Sequence, residues 1–103
     1  NIEIFISAGE NEKVKNIHDG IVLKIGYMPG FENFIIIDHG EQTFSIYSNV
    51  KNIAVQENEF VKSRDEIAVV AKSDKTINGE NTYLSFQIFY NEKSVNPEEW
   101  LKK

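Results

Sequence analysis

The sequence predicts an all-β domain of barrel or sandwich type, and three observations carry the prediction. Apolar residues come in short runs that alternate with polar ones, the period-2 pattern of a strand. These runs recur at near-even spacing, separated by turn-forming residues. No window repeats apolar residues at i, i+3, i+4 and i+7 over three turns, so no substantial helix is expected.

Taken in order, Ile2-Glu3-Ile4-Phe5-Ile6 reads as a first strand, closed by the turn-forming run Ser7-Ala8-Gly9-Glu10-Asn11. Val14 to Ile17 and Ile21 to Ile25 flank His18-Asp19-Gly20, a hairpin signal in which Gly20 supplies the positive φ of a tight turn. Pro29-Gly30 marks a loop. Phe34-Ile35-Ile36-Ile37-Asp38 is apolar on both faces, which suits a central strand. His39-Gly40-Glu41 turns the chain into Thr43 to Tyr47, with Phe44 and Ile46 on one side. Ile53 to Val55, Glu59 to Val61 and Ile67 to Ala71 follow as short strands.

Ser73 to Thr82 is polar, contains Asn78-Gly79, and reads as the most mobile loop. Thr82 to Tyr90 is the longest strand pattern. Its alternation puts Leu84, Phe86 and Ile88 on a core face and Tyr83, Ser85, Gln87 and Phe89 on the opposite one. Asn96-Pro97-Glu98-Glu99 has the form of a helix start, with a capping asparagine, proline at the first position and acids at the positive end of the dipole. At most one helical turn is expected there, tucking Trp100 and Leu101 onto the sheet. The two Val-Lys-Asn-Ile segments, at Val14 and Val50, are too short to define a repeat.

At 103 residues the chain supports one core, so residues 1–103 read as a single domain. With 41% hydrophobic and 26% charged residues it has the composition of a folded globular domain. A net charge of -5 supplies no cationic field for a phosphate backbone or an anionic lipid surface, which argues against nucleic acid as a partner. Without cysteine there is no disulfide, thiolate metal site or cysteine nucleophile. No segment approaches the ~20 apolar residues of a membrane-spanning helix, and membrane insertion by this domain is not expected. Because Asn1 opens in strand-like alternation without an initiator methionine, the chain reads as the C-terminal part of a longer protein, with targeting information upstream.

The landmarks Asp19-Gly20, then Ile35-Ile36-Ile37-Asp38-His39-Gly40, then Tyr47-Ser48-Asn49-Val50 resemble the M23 (LytM-type) peptidoglycan endopeptidase family. Val55 to Val70 is similar to that family's "V, G, then V, G, then I" hairpin, with Asn58 and Arg64 or Asp65 in place of the glycines. Tyr83 to Ile88 falls on its His-Leu-His-Phe-Glu-Ile strand, and Val95 to Leu101 on its "V-D/N-P-x-x-W/Y-L" ending. The resemblance covers nearly the whole chain and implies the family's barrel-sandwich sheet.

It also implies a lost active site. Active members hold zinc with a histidine, an aspartate four residues later, and the second histidine of His-x-His; two further histidines assist. Glu3 stands at the aspartate position, and the paired histidine would precede residue 1. Asn49 replaces the histidine of Tyr-x-His, and Tyr83 and Ser85 replace both histidines of His-x-His. Serine and tyrosine do not substitute as zinc ligands, and a catalytic zinc needs three protein ligands plus an open position. Hence no enzyme activity, no metal and no cofactor are expected.

Degenerate members of the family activate peptidoglycan amidases in the bacterial cell envelope during wall remodelling and division, which implies an amidase partner, an envelope or periplasmic location, and a vestigial groove reused for protein binding. Glu3, Tyr47, Asn49, Tyr83 and Ser85 are the residues expected to line it. The family's arginine after Phe-Glu-Ile is absent, since the strand here runs Phe86-Gln87-Ile88-Phe89.

The alternatives are a passive peptidoglycan-binding or scaffold domain, a residual zinc endopeptidase, and a lipoyl- or biotinyl-type carrier. The last would use Lys75, which follows the Val55 to Val70 hairpin where a carrier lysine should precede it. His39 matches a turn histidine of the family that is not a ligand and reads as bonded to backbone; His18 reads as exposed. A metal site made from these two would require their turns to meet.

Overall fold

The computed structural model describes residues 2–29 and 32–90, which form nine strands. They are β1 (Ile2–Ser7), β2 (Lys13–Lys15), β3 (Gly20–Tyr27), β4 (Asn33–Gly40), β5 (Thr43–Lys51), β6 (Phe60–Val61), β7 (Glu66–Val70), β8 (Lys72–Ile77) and β9 (Glu80–Tyr90). No helix occurs among the described residues. The expected turn at Asn96 to Leu101, with Trp100, lies outside them.

Six strands run in the order β1-β9-β5-β4-β3-β6; β7 also pairs with β5, β2 with β7, and β8 with β9, every pairing antiparallel. β4 lies between β3 and β5, the central place its two apolar faces require. The core forms where Val14, Val61, Ile67, Ala68 and Val70 of β2, β6 and β7 meet Val22, Ile35, Ile37, Tyr47 and Phe86 of the main sheet. Leu84 and Ile88 pack partly buried against this cluster.

Four expectations are corrected. The segments around His18-Asp19-Gly20 do not form a hairpin: β2 pairs with β7, while β3 pairs with β4 and β6. Gly20 has no positive φ either; a Cβ there would lie 2.6 Å from the carbonyl oxygen of Asp38, so close backbone approach is what requires glycine. Ile53 to Val55 is not a strand, although the Ala54 N–H donates to the Ile67 carbonyl at 2.9 Å and Val55 is buried.

Ser73 to Thr82 is not a loop. It contains β8 and the start of β9, joined by Asn78-Gly79 with φ of 53° and 79°. Positive φ at both central residues, with Ile77 opposite Glu80, is the type I′ hairpin geometry that Asn-Gly favours. Lys75 therefore sits within β8.

Between β5 and β7 the chain turns twice without glycine. Asn58 and Arg64 adopt φ of 74° and 73°, the left-handed region at the two points where the family pattern has glycine. Arg64, rather than Asp65, carries the second turn.

Candidate functional site

Residues paired across antiparallel strands project from the same face of the sheet. On the face away from the core, the pairings Glu3↔Gln87, Gln87↔Ile46 and Ile46↔Ile36 make one row across β1, β9, β5 and β4. Phe5↔Ser85, Ser85↔Ser48 and Ser48↔Phe34 make the next. Strand geometry sets neighbours in a row ~4.8 Å apart along the hydrogen-bonding direction and successive rows ~6.8 Å apart.

A pocket of about 250 Å³ opens over these two rows, lined by Glu3, Gln87, Ile46, Ile36, Ser85, Ser48 and Phe34, with Met28 joining from just beyond β3. Its walls are mostly apolar. Glu3 is the charged residue among them, and its Oε2 accepts a 2.7 Å hydrogen bond from Gln87 Nε2. Ser85 and Ser48 are buried at 2% and 7% exposure.

The structure thus brings Glu3 and Ser85 together and places the other three predicted residues elsewhere. Tyr83 lies one pair further along β9, opposite Ser7. It is buried, with its ring edge-on to Phe5 at 5.9 Å between centroids, and its hydroxyl donates to the Lys75 carbonyl at 3.0 Å. With Phe5, Ser7, Ile77, Asn78 and Glu80 it bounds a small cavity of about 40 Å³, little more than one water's share of the liquid. The Ser7 hydroxyl donates to the Glu80 carboxylate across its mouth. The β8–β9 hairpin therefore ties up Tyr83.

Asn49 is fully buried and has φ of 64°. Its Nδ2 donates to the carbonyls of Tyr83 at 2.7 Å and Ala71 at 2.9 Å, joining β5, β9 and the end of β7. Tyr47 faces the core instead. Its ring packs against Phe86 at 5.2 Å, its hydroxyl donates to Asn16 Oδ1 at 3.1 Å, and it accepts from the Ile17 N–H at 3.0 Å. Burial pushes its phenol pKa above the ordinary value, offset in part by hydrogen bonding from Ser45 and Ile17.

Ser48, Gln87, Ile36, Ile46, Phe34 and Met28 were not among the predicted site residues. Gln87 was visible in the alternation of its strand. The others acquire meaning only once the register across four strands is fixed, which no local pattern reveals.

The turns carrying the two histidines do meet, with rings 5.9 Å apart. Both nitrogens of His39 are engaged, Nδ1 donating to the Asp19 carbonyl at 2.9 Å and Nε2 accepting from the Ser45 hydroxyl at 2.6 Å. Since a carbonyl only accepts, Nδ1 carries the proton. This is the backbone-bonded histidine the sequence suggested. Among the described residues no group of three or more His, Asp or Glu is placed to hold a metal ion.

As a metal site the pocket face offers one carboxylate, two serine hydroxyls and a tyrosine hydroxyl already bonded to backbone. Zinc sites are built from thiolate, imidazole and carboxylate. Of the donors on this face only Glu3 belongs to that set, so they do not fit a catalytic zinc.

Comparison with known proteins places this geometry. The model of peptidase family M23 matches residues 2–97. The murein hydrolase activator NlpD of Escherichia coli K12 is 31% identical over 99 residues, which cover 95% of this chain and 25% of that protein. The murein hydrolase activator EnvC of the same organism is 30% identical over 97 residues, covering 93% of this chain and 22% of its own length. The chain therefore spans about a quarter of the curated relatives it matches. Among solved structures, the catalytic domain of the antimicrobial peptidase lysostaphin from Staphylococcus simulans superposes with a TM-score of 0.73 at 20% identity, over 96% of this chain and 77% of that domain. At that identity the likeness is one of fold.

Proposed function

The chain belongs to peptidase family M23, and from that premise we propose that it is a non-catalytic, regulatory member: a domain of the bacterial cell envelope that activates a peptidoglycan amidase by binding it through the face where active relatives do chemistry. The observation that carries this reading is the groove face of β9. On the family resemblance Tyr83 and Ser85 replace the two histidines of His-x-His; Tyr83 is buried with its hydroxyl bonded to the Lys75 carbonyl, and Ser85 is buried beside the pocket. Neither side chain is of the imidazole, thiolate or carboxylate type that holds a catalytic zinc, so this strand supplies no ligand for a metal-activated water. An apolar pocket with a few polar groups is left, which is the material of protein recognition. The names of the relatives NlpD and EnvC, both murein hydrolase activators, support the same role.

The test is reconstitution. The domain is incubated with dye-labelled sacculi, alone and with each of a panel of purified amidases. Dye release is expected only with an amidase, accelerated by the domain. Release by the domain alone, abolished by a chelator, would overturn the proposal. Co-sedimentation with sacculi and no effect on any amidase would also overturn it, in favour of a passive wall-binding domain.

A further inference from the structure

Resting on the reading that this face docks a protein partner, we infer that its pocket receives one arginine side chain of that partner. The volume comes first. About 250 Å³ is below the ~300–1,000 Å³ of small-molecule sites and holds roughly eight waters, which is room for one long side chain.

The lining then narrows the choice. Phe34, Ile36 and Ile46 present apolar surface suited to a methylene stem. Around them stand acceptors. Glu3 Oε2 is held by Gln87, leaving Oε1 free to accept, and Gln87 keeps its own amide oxygen. Ser48 and Ser85 are more than nine-tenths buried, line the pocket, and have no side-chain hydrogen-bond partner among the described residues.

These two hydroxyls decide between occupants. A purely apolar side chain would cover the two serine hydroxyls without giving them a hydrogen-bond partner, which is costly. An anion would meet Glu3 and a domain of net charge -5. A cation with a single compact head cannot reach acceptors spread over two rows ~6.8 Å apart. A guanidinium, planar with five donors, can address the carboxylate and the serine row together.

The experiment titrates the ¹⁵N-labelled domain with Nα-acetyl-arginine amide, and with the matching citrulline, lysine and norleucine amides, following the amide signals of Glu3, Ser48, Ser85 and Gln87. The arginine probe is expected to give saturable shifts at these four residues. Citrulline, isosteric but neutral, should bind about fivefold more weakly or worse, and Glu3→Gln, which keeps the contact to Gln87, should weaken arginine by a similar about fivefold. Absence of saturable shifts there, or equal binding of citrulline or norleucine, would overturn the inference.

Amidase stimulation measured in parallel separates the two claims. If the wild-type domain stimulates and Glu3→Gln stimulates equally at limiting concentration, the arginine pocket is wrong and docking stands. If the wild-type domain stimulates no amidase, docking falls and the pocket is judged by the titration alone.

Discussion

Asn49 Nδ2 lies 2.7 Å from the carbonyl oxygen of Tyr83, so a buried side chain of β5 holds the backbone of β9. The same nitrogen holds Ala71, and the left-handed φ of 64° is one that asparagine tolerates better than most residues. Asn49→Ala should therefore cost roughly 2–4 kcal/mol, from two lost hydrogen bonds, buried carbonyls left unpaired and the backbone strain. Asn49→Asp, an acceptor aimed at two acceptors, should cost more than alanine. Urea midpoints at neutral pH check both; an Asp variant as stable as wild type would contradict the arrangement.

Tyr47 gives the domain an alkaline limit. Its folded-state pKa is raised above the ordinary 10.0, chiefly by burial. A raised pKa contributes stability that is fully present below the unfolded value and is lost as pH rises through the folded one. The urea midpoint should hold steady up to about pH 9 and fall above pH 10. Tyr47→Phe should flatten that fall, while costing about 1–2 kcal/mol at neutral pH because Asn16 and the Ile17 N–H lose their partner. A Phe variant with the same alkaline slope would show that another group sets the limit.

Arg64 holds a glycine's conformation, with φ of 73°. Its backbone N–H donates to the Asn16 carbonyl at 2.8 Å, a bond glycine would keep. Arg64→Gly should stabilise the domain by about 0.5–1 kcal/mol, the relief of left-handed strain less the greater entropy of an unfolded glycine. Thermal unfolding should show a raised midpoint; a lowered one would mean that the arginine side chain carries more than the strain it imposes.

Gly20 behaves oppositely. Its added Cβ would meet Asp38 O at 2.6 Å and Ile37 Cγ2 at 2.7 Å, so Gly20→Ala should cost roughly 1–3 kcal/mol by forcing β3 away from β4. Unfolding by guanidinium would measure it. A neutral effect would mean that the two strands separate freely.

Most strands were legible because alternation is local. β1, β3, β4, β5 and β9 declare themselves within a few residues, and so did the parity that sets Ser85 and Gln87 on the face opposite Phe86. What could not be read was pairing at a distance. β2 is three residues long and its partner lies more than fifty positions away, so the nearby glycine suggested a hairpin that does not form. β8 hid because Ser73-Asp74-Lys75-Thr76 buries little besides Ser73, although Asn78-Gly79 announced its turn.

The same limits governed the site. Glu3 and Ser85 were named through the family resemblance, whereas Ser48 and Ile46 join them only through register. The Tyr-x-His likeness put Tyr47 and Asn49 in the groove, but it is Ser48 between them that lines the pocket, and the adjacent Tyr47 faces the core.

β1 pairs with β9 among the described residues, and Glu3 meets Gln87 across 84 positions of chain. Closing so long a loop has to precede any reward from the contacts it makes, the condition under which sheets form slowly. On the ribosome, Ile2–Ser7 emerges before β9 and waits until that strand has been made. During that interval an Ile-Glu-Ile-Phe-Ile segment stands without its partner strand, and even afterwards Ile4, Phe5 and Ile6 stay at least 40% exposed. The order of synthesis thus makes β1, the earliest of the nine described strands, the last to be secured, and until then it is an exposed, aggregation-prone segment.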